Sequence, residues 1–403
     1  MKFYFGWIVV LGSALILMLG AGILMIFGVF FNPLIEEFQW SRAAISAAMS
    51  INTLLLGVFG AVVGRLTDRF GARIVIMLGV LLTSIALYLL GYTSTLLDLY
   101  LLYGVLAGFG IICLQDVPTS AAVGRWFRKR RSLALSLSSI GFCVGMILFP
   151  SFASYLILIN GWRLSFQVLG GIVLLVGLPV VVLTIRSHPS GEDKWASEGI
   201  KTEGIEVKTT LIPIVSAVRT GAFLALSFGY FACGFTDFLI IVHVVTYAIG
   251  LGIPTLASAF AISLMGGANI PGLVAMGVLS HRKGVQPTLA LTYFIRFLSF
   301  IILTFFVRDI WTLYLFATMT GITSFTTGPL TASFVAQIFG PSSMGTVYGL
   351  AIFFHMIGGA VGSYIGGLFY DLTQSYFIPF LIGTLLLAST SAIVFTAKIT
   401  VKT

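Results

Sequence analysis

Charge is what this sequence has least of: Lys, Arg, Asp and Glu make up 9% of its 403 residues, where soluble domains carry about a quarter. A chain so poor in charge and 58% apolar cannot offer its side chains to water, which excludes nearly every soluble fold. Cysteine is scarce as well. Cys113, Cys143 and Cys233 each lie inside an apolar run with no C-x-x-C spacing, so they read as small core hydrophobes, and neither a disulfide framework nor a metal site is expected. No glycine-rich phosphate loop, H-E-x-x-H pair or nucleophile elbow in a suitable context is present. The chain is therefore not expected to be an enzyme, to use a cofactor or to hydrolyse a nucleotide. No small-residue cleavage site follows the first apolar run from Gly6, so that run reads as a retained span rather than a signal peptide.

What the sequence does have is apolar runs of spanning length, about 20 residues each. They fall at 6–30, 43–66, 72–92, 97–122, 132–158, 163–185, 221–247, 256–279, 286–306, 311–335, 344–367 and 375–397, which predicts an all-α membrane protein of twelve transmembrane helices. The one long polar stretch contains Glu192, Asp193, Lys194, Glu198 and Lys201 and divides the chain six plus six. The expected organisation is an N-terminal half at 1–185, a linker at 186–220 and a C-terminal half at 221–403.

The net charge of +9 is explained by orientation. With both termini cytoplasmic, eighteen Lys and Arg fall inside and only Arg42, Arg163 and Arg308 outside, with Arg296 left within a span. This accounts for the basic balance without a nucleic-acid partner. The halves also echo one another at an offset of about 213 residues: Gly64-Arg-Leu-Thr-Asp68-Arg69 corresponds to Gly277-Val-Leu-Ser-His281-Arg282, and Pro118…Phe127 to Pro329…Phe339. Parallel six-helix repeats are an architecture of secondary transporters, with the substrate expected near the membrane midplane.

The stretch from Gly64 through Asp68, Arg69 and Gly71 to Arg73 resembles the signature loop of the major facilitator superfamily, G-x-L-[AS]-D-R-x-G-[RK]-[RK]. In such a loop glycine permits a tight turn, and an Asp flanked by Arg is a gating charge relay. A plainer reading is that these are positive-inside charges. Trp126-Phe127-Arg128-Lys129-Arg130-Arg131-Ser132-Leu133-Ala134, leading to Gly141, resembles the fifth-span signature of the monocarboxylate porters. Phe5-Gly6-Trp7 and Trp40-Ser41-Arg42 are similar to bacterial members of that group and of the oxalate–formate antiporters. The resemblance implies alternating-access transport of a small organic acid or related solute with protons. It also implies a carboxylate clamp, an arginine four residues after an Asp or Asn on the eighth span. Counted back from Gly277, those positions hold Asn269 and Leu273: the polar partner is present and the arginine is not.

Other ionisable residues stand within the spans, where each is costly and so a functional candidate: Asp116, Asp237, His243, Arg296 and His355. Asp116 precedes Pro118, which removes a helix hydrogen bond and can open the backbone. It is a candidate for the coupling proton, or else an acid bonded to freed amides. Asp237 and His243, six residues apart, face different directions on one helix. Histidine can exchange protons near neutral pH, and His243 matches a recurrent feature of the bacterial relatives. Arg296 is either a structural partner or the positive charge that Leu273 lacks. Asn269 and His243 are expected to bind substrate, and Gly64, Asp68, Arg69, Gly71 and Arg73 to gate. Small residues at Gly141–Gly145 and Gly358–Gly362 suit close contact between halves, or ordinary helix packing.

The expected protein is a proton-coupled porter, monomeric, lipid-embedded and in a bacterial or archaeal inner membrane. The alternatives are a porter or exporter of cationic or zwitterionic amphiphiles, since two intramembrane carboxylates oppose one guanidinium, and a solute sensor that does not transport.

Overall fold

Helix dominates the described residues because the apolar runs leave the backbone no partner other than itself in lipid. The computed structural model describes residues 4–127, 131–186, 220–339 and 344–396. Arg128, Lys129, Arg130 and most of the linker lie outside these. Among the described residues twelve helical segments follow in order: α1 (Gly6–Phe38), α2 (Arg42–Phe70), α3 (Ala72–Leu90), α4 (Leu96–Gly124), α5 (131–160), α6 (162–184), α7 (Gly221–Gly250), α8 (Thr255–Lys283), α9 (Val285–Phe306), α10 (310–339), α11 (Met344–Thr373) and α12 (Phe377–Thr396). Helices α5 and α6 run together except at Gly161, whose φ of 74° breaks the helix. Large apolar side chains stay on the surface, Trp311 at 77% and Leu175 at 76% exposure, as lipid-facing residues should.

Besides a one-residue break in α1 at Ile26, two helices are interrupted more widely among the described residues. In α4 the helix ends at Ile112 and restarts at Asp116, and in α10 it ends at Thr323 and restarts at Thr327. The third residue of each restarted piece is proline, Pro118 and Pro329. Proline is tolerated there because first-turn N–H groups have no helical acceptor anyway.

By contact the chain forms two units, one within Met1–Ile26 and Val58–Val207, the other within Phe27–Gly57 and Lys208–Thr403. In the first, α5 lies close on α1, with Gly141 and Gly145 against the carbonyls of Ala14 and Met18. Arg163 donates to the carbonyls of Gly91 (3.1 Å) and Thr93 (2.9 Å), satisfying acceptors at and just past the end of α3. The fifth-span motif ties helix ends together: the Trp126 indole donates to the Arg186 carbonyl at 3.1 Å, and its own carbonyl accepts from Tyr4. In the second unit α11 lies on α7, Gly358 and Gly362 fitting under the carbonyls of Phe231 and Phe235. The two glycine stripes therefore pack helices inside each unit, not one half against the other. A missing Cβ serves whichever helix comes nearest, which spacing alone cannot name.

Candidate functional site

Helix α7 sets the site, because residues one turn apart share a face. Tyr230, Cys233 and Asp237 rise along it, and Arg296 reaches them from α9. The Arg296 guanidinium is fully buried and pairs with the Asp237 carboxylate, whose side chain keeps 12% exposure. It also donates to Cys233 Sγ at 3.0 Å and to Ser324 Oγ, beside the break in α10, at 3.2 Å. Cys233 Sγ lies 3.4 Å from Asp237 Oδ2 and 3.3 Å from Thr327 Oγ1. Arg296 Nε is buried and finds no acceptor among the described residues. A fixed cationic fork with one arm on a partly exposed carboxylate can exchange that carboxylate for another.

His355, on α11, completes the cluster. Its Nδ1 donates to the Tyr230 carbonyl at 3.2 Å, since a carbonyl can only accept, and this fixes the tautomer when the ring is neutral. Its ring centroid lies 5.0 Å from that of Tyr230, whose hydroxyl meets the hydroxyl of Tyr348 at 3.2 Å. Ligand atoms of Cys233, Asp237 and His355 come within 4.8 Å of one another, a spacing that could hold a metal ion. Arg296 already donates to two of the three, so a cation would have to displace a buried guanidinium.

The remaining expected residues lie elsewhere. Asn269 is buried and spends its amide on the Gly321 carbonyl of α10 at 3.0 Å, joining α8 to α10 one turn before Ser324. His243 does not join Asp237. It donates from Nε2 to the Ser363 carbonyl at 2.8 Å and meets the Tyr376 hydroxyl at 3.3 Å. Asp116 belongs to the other unit, exposed at the restart of α4, where the helix N-terminus favours a carboxylate. In the signature loop Gly71 takes a φ of 85°, Arg73 bonds the Val182 carbonyl at 2.9 Å, Arg69 lies over the Phe70 ring at 5.2 Å, Asp68 is exposed and Gly64 is half-buried. Sequence reading missed Cys233, Ser324 and Thr327. Cys233, taken as a core hydrophobe, is instead part of the charge cluster, and its spacing of four from Asp237 was the available signal.

The sequence model of the Major Facilitator Superfamily matches residues 10–363. The chain belongs to this superfamily. It is 28% identical over 361 residues to "Uncharacterized MFS-type transporter YcxA" of Bacillus subtilis, covering 87% of this chain and 85% of that one. To "Monocarboxylate transporter 13" of Bos taurus it is 28% identical over 396 residues, covering 96% and 88%. In fold it is similar to a bacterial homolog of the human lysosomal transporter Spinster, in an inward-facing and unoccupied conformation. The TM-score is 0.77 at 17% identity, covering 98% of this chain and 97% of that one. The superfamily member described here is thus an integral, multi-pass membrane solute transporter, not an enzyme.

Proposed function

We propose that the chain moves a small organic acid together with a proton by alternating access, and that Asp237 and Arg296 couple the two. The observation that carries this reading is the buried guanidinium held by a carboxylate that remains partly exposed. While Asp237 is ionised it occupies the fork of Arg296. Once protonated it loosens its hold, and a substrate carboxylate takes its place in a charge-assisted, two-pronged contact. His355, beside the pair, passes the proton. Arg296 thereby supplies the charge that Leu273 does not. The N-terminal half at 1–185 and the C-terminal half at 221–403 act as the two moving repeats, joined by the linker at 186–220. The signature loop from Gly64 to Arg73 gates, and the transporter works as a monomer in a bacterial or archaeal inner membrane with both termini cytoplasmic.

The test is uptake into proteoliposomes under an imposed pH gradient. Arg296→Gln is expected to lower organic-anion uptake at least about tenfold, the cost of one charge-assisted contact. Asp237→Asn is expected to keep solute exchange at equal pH while losing accumulation driven by the gradient. Parental anion uptake by Arg296→Gln would remove Arg296 as the anion ligand. The exposed carboxylate of Asp116 favours a second reading, transport of a cationic or zwitterionic amphiphile. Competition by organic cations and not by acids would select it. A stabilising ligand with no counterflow would instead indicate a sensor.

A further inference from the structure

Helices α9 and α12 pack against each other but leave a groove of about 450 Å3 along their seam. Small residues, Ala388 and Ser391 among them, make the space, and Phe294, Phe297 and Phe395 stand around it. On α9 the lining runs from Pro287 to Phe297, about 15 Å of helix. Phe294 is 45% and Phe395 71% exposed, so the groove opens sideways, where a spanning chain meets lipid.

Such a groove is filled, because a void forfeits dispersion contacts along its whole lining. Water is a poor occupant, since a held water needs about two to four polar partners, and the Ser391 hydroxyl already donates to the Ala290 carbonyl at 3.1 Å. A helix from a second copy is too thick. A cylinder 10 Å across and 15 Å long takes up roughly 1,200 Å3, well over twice the groove. A single hydrocarbon tail, flexible and one methylene wide, is the occupant that fits.

At its Pro287 end the groove meets positive charge. His281, Arg282 and Lys283 form the last turn of α8 and are all exposed, and Lys283 precedes Pro287 by four residues of chain, at most about 14 Å. That distance is within the combined reach of long basic side chains and a lipid headgroup. Residues 281–297 contain no Asp or Glu to compete for the cations. A second groove, of about 300 Å3 around Phe149 and Phe152 where α1, α5 and α6 meet, has no Lys or Arg within four residues of its lining. Of the two, only the α9–α12 groove joins an apolar slot to cations.

We propose that this groove binds one anionic phospholipid, with an acyl chain lying along α9 and α12 and the phosphate headgroup held by Arg282 and Lys283. The cations select the headgroup, as juxtamembrane Lys and Arg do, and the slot fixes where the chain lies. The bound chain completes the packing of α9, the helix that carries Arg296. The site needs no transport step, so it stands or falls apart from the reading above.

The test uses delipidated full-length protein in detergent, titrated with phosphatidylglycerol or with phosphatidylethanolamine of the same acyl chains. Native mass spectrometry counts the bound lipid, and thermal unfolding reports the stabilisation that binding to the native state confers. One phosphatidylglycerol per chain is expected to bind tightest and to raise the melting temperature. Arg282→Gln with Lys283→Gln is expected to weaken phosphatidylglycerol about tenfold or more and to leave phosphatidylethanolamine within about twofold. Ala392→Phe, at an exposed position of the lining, puts a ring into the slot and is expected to weaken both lipids about tenfold. Ala388→Leu fills the slot more gently and serves if that variant fails to fold. Phosphatidylglycerol bound within about twofold of the parent by the slot-filling variant overturns the groove as the seat of the chain. Equal affinity of the parent for the two lipids overturns the role of Arg282 and Lys283. A parent dimer that Ala392→Phe converts to monomer would give the groove to a second copy and overturn the proposal. The expected lipid binding in a protein that moves no solute under any gradient would sink the transport reading and leave the lipid site standing.

Discussion

At the scale of single residues, Arg296 bears a full charge at a depth where insertion alone costs about 2.5–3.5 kcal/mol. Asp237, Cys233 and Ser324 compensate it. Removing one partner should therefore do more damage than removing both. Asp237→Ala is expected to lower stability by about 3–5 kcal/mol, because it leaves the guanidinium uncompensated. The double variant Asp237→Leu with Arg296→Met should recover most of that loss. Thermal unfolding of the four proteins in one detergent checks it, and additive losses would mean that the two side chains do not depend on each other. Asp237 and Arg296 were legible in the sequence because each interrupts an apolar run. Their pairing was not: they lie 59 residues apart on different helices, and no local pattern fixes how α9 is rotated. His243 was legible as an ionisable residue, but its partners were not, since Ser363 and Tyr376 come from α11 and α12.

Elements show where local chemistry suffices and where it does not. The opening of α4 before Asp116 follows from Pro118, and the matching break in α10 before Pro329 could have been read from the repeat. The start of α10 is also written locally. Asp309 accepts from the Thr312 backbone N–H at 2.8 Å, and the Thr312 hydroxyl returns the contact, a capping box outside the membrane. That backbone bond first, and the Thr312 hydroxyl second, hold the Asp309 carboxyl below the usual carboxylate range. A group depressed in this way adds stability above its unfolded pKa of about 3.9 and loses it as the pH falls through the folded value. Asp309→Ala should accordingly lower the melting temperature at neutral pH, and the gap between variant and parent should close in acid below the ordinary Asp range. A gap that stays constant down to strong acid would show that the side chain's charge has no part in the cap.

Over the whole molecule, the offset of 213 residues read from the sequence reappears in the backbone. Gly71, between α2 and α3, has φ 85° and ψ 151°, and Gly284, between α8 and α9, has φ 93° and ψ 160°. Only glycine is at ease in this region. Gly71→Ala and Gly284→Ala are each expected to cost about 1–3 kcal/mol, measurable as comparable drops in thermal midpoint. A large drop for one and none for the other would mean that the repeat is not structurally equivalent at its signature turn. Turn glycines and hydropathy were legible because they are properties of short stretches. The contact grouping of Phe27–Gly57 was not, because it depends on hydrogen bonds from Arg42 and Ser46 to Asp371 and Ser363, more than three hundred residues away.

That grouping has a consequence for anyone who would take the protein apart. The linker is the obvious place to cut, yet before it the backbone already passes from one packed unit to the other at two points: inside α1 after Ile26 and inside α2 after Gly57. Both of these crossings lie inside helices. A protein divided at the linker would leave its first fragment holding a helical hairpin whose partners had gone with the second, so the pieces are separable on paper and interdependent in assembly.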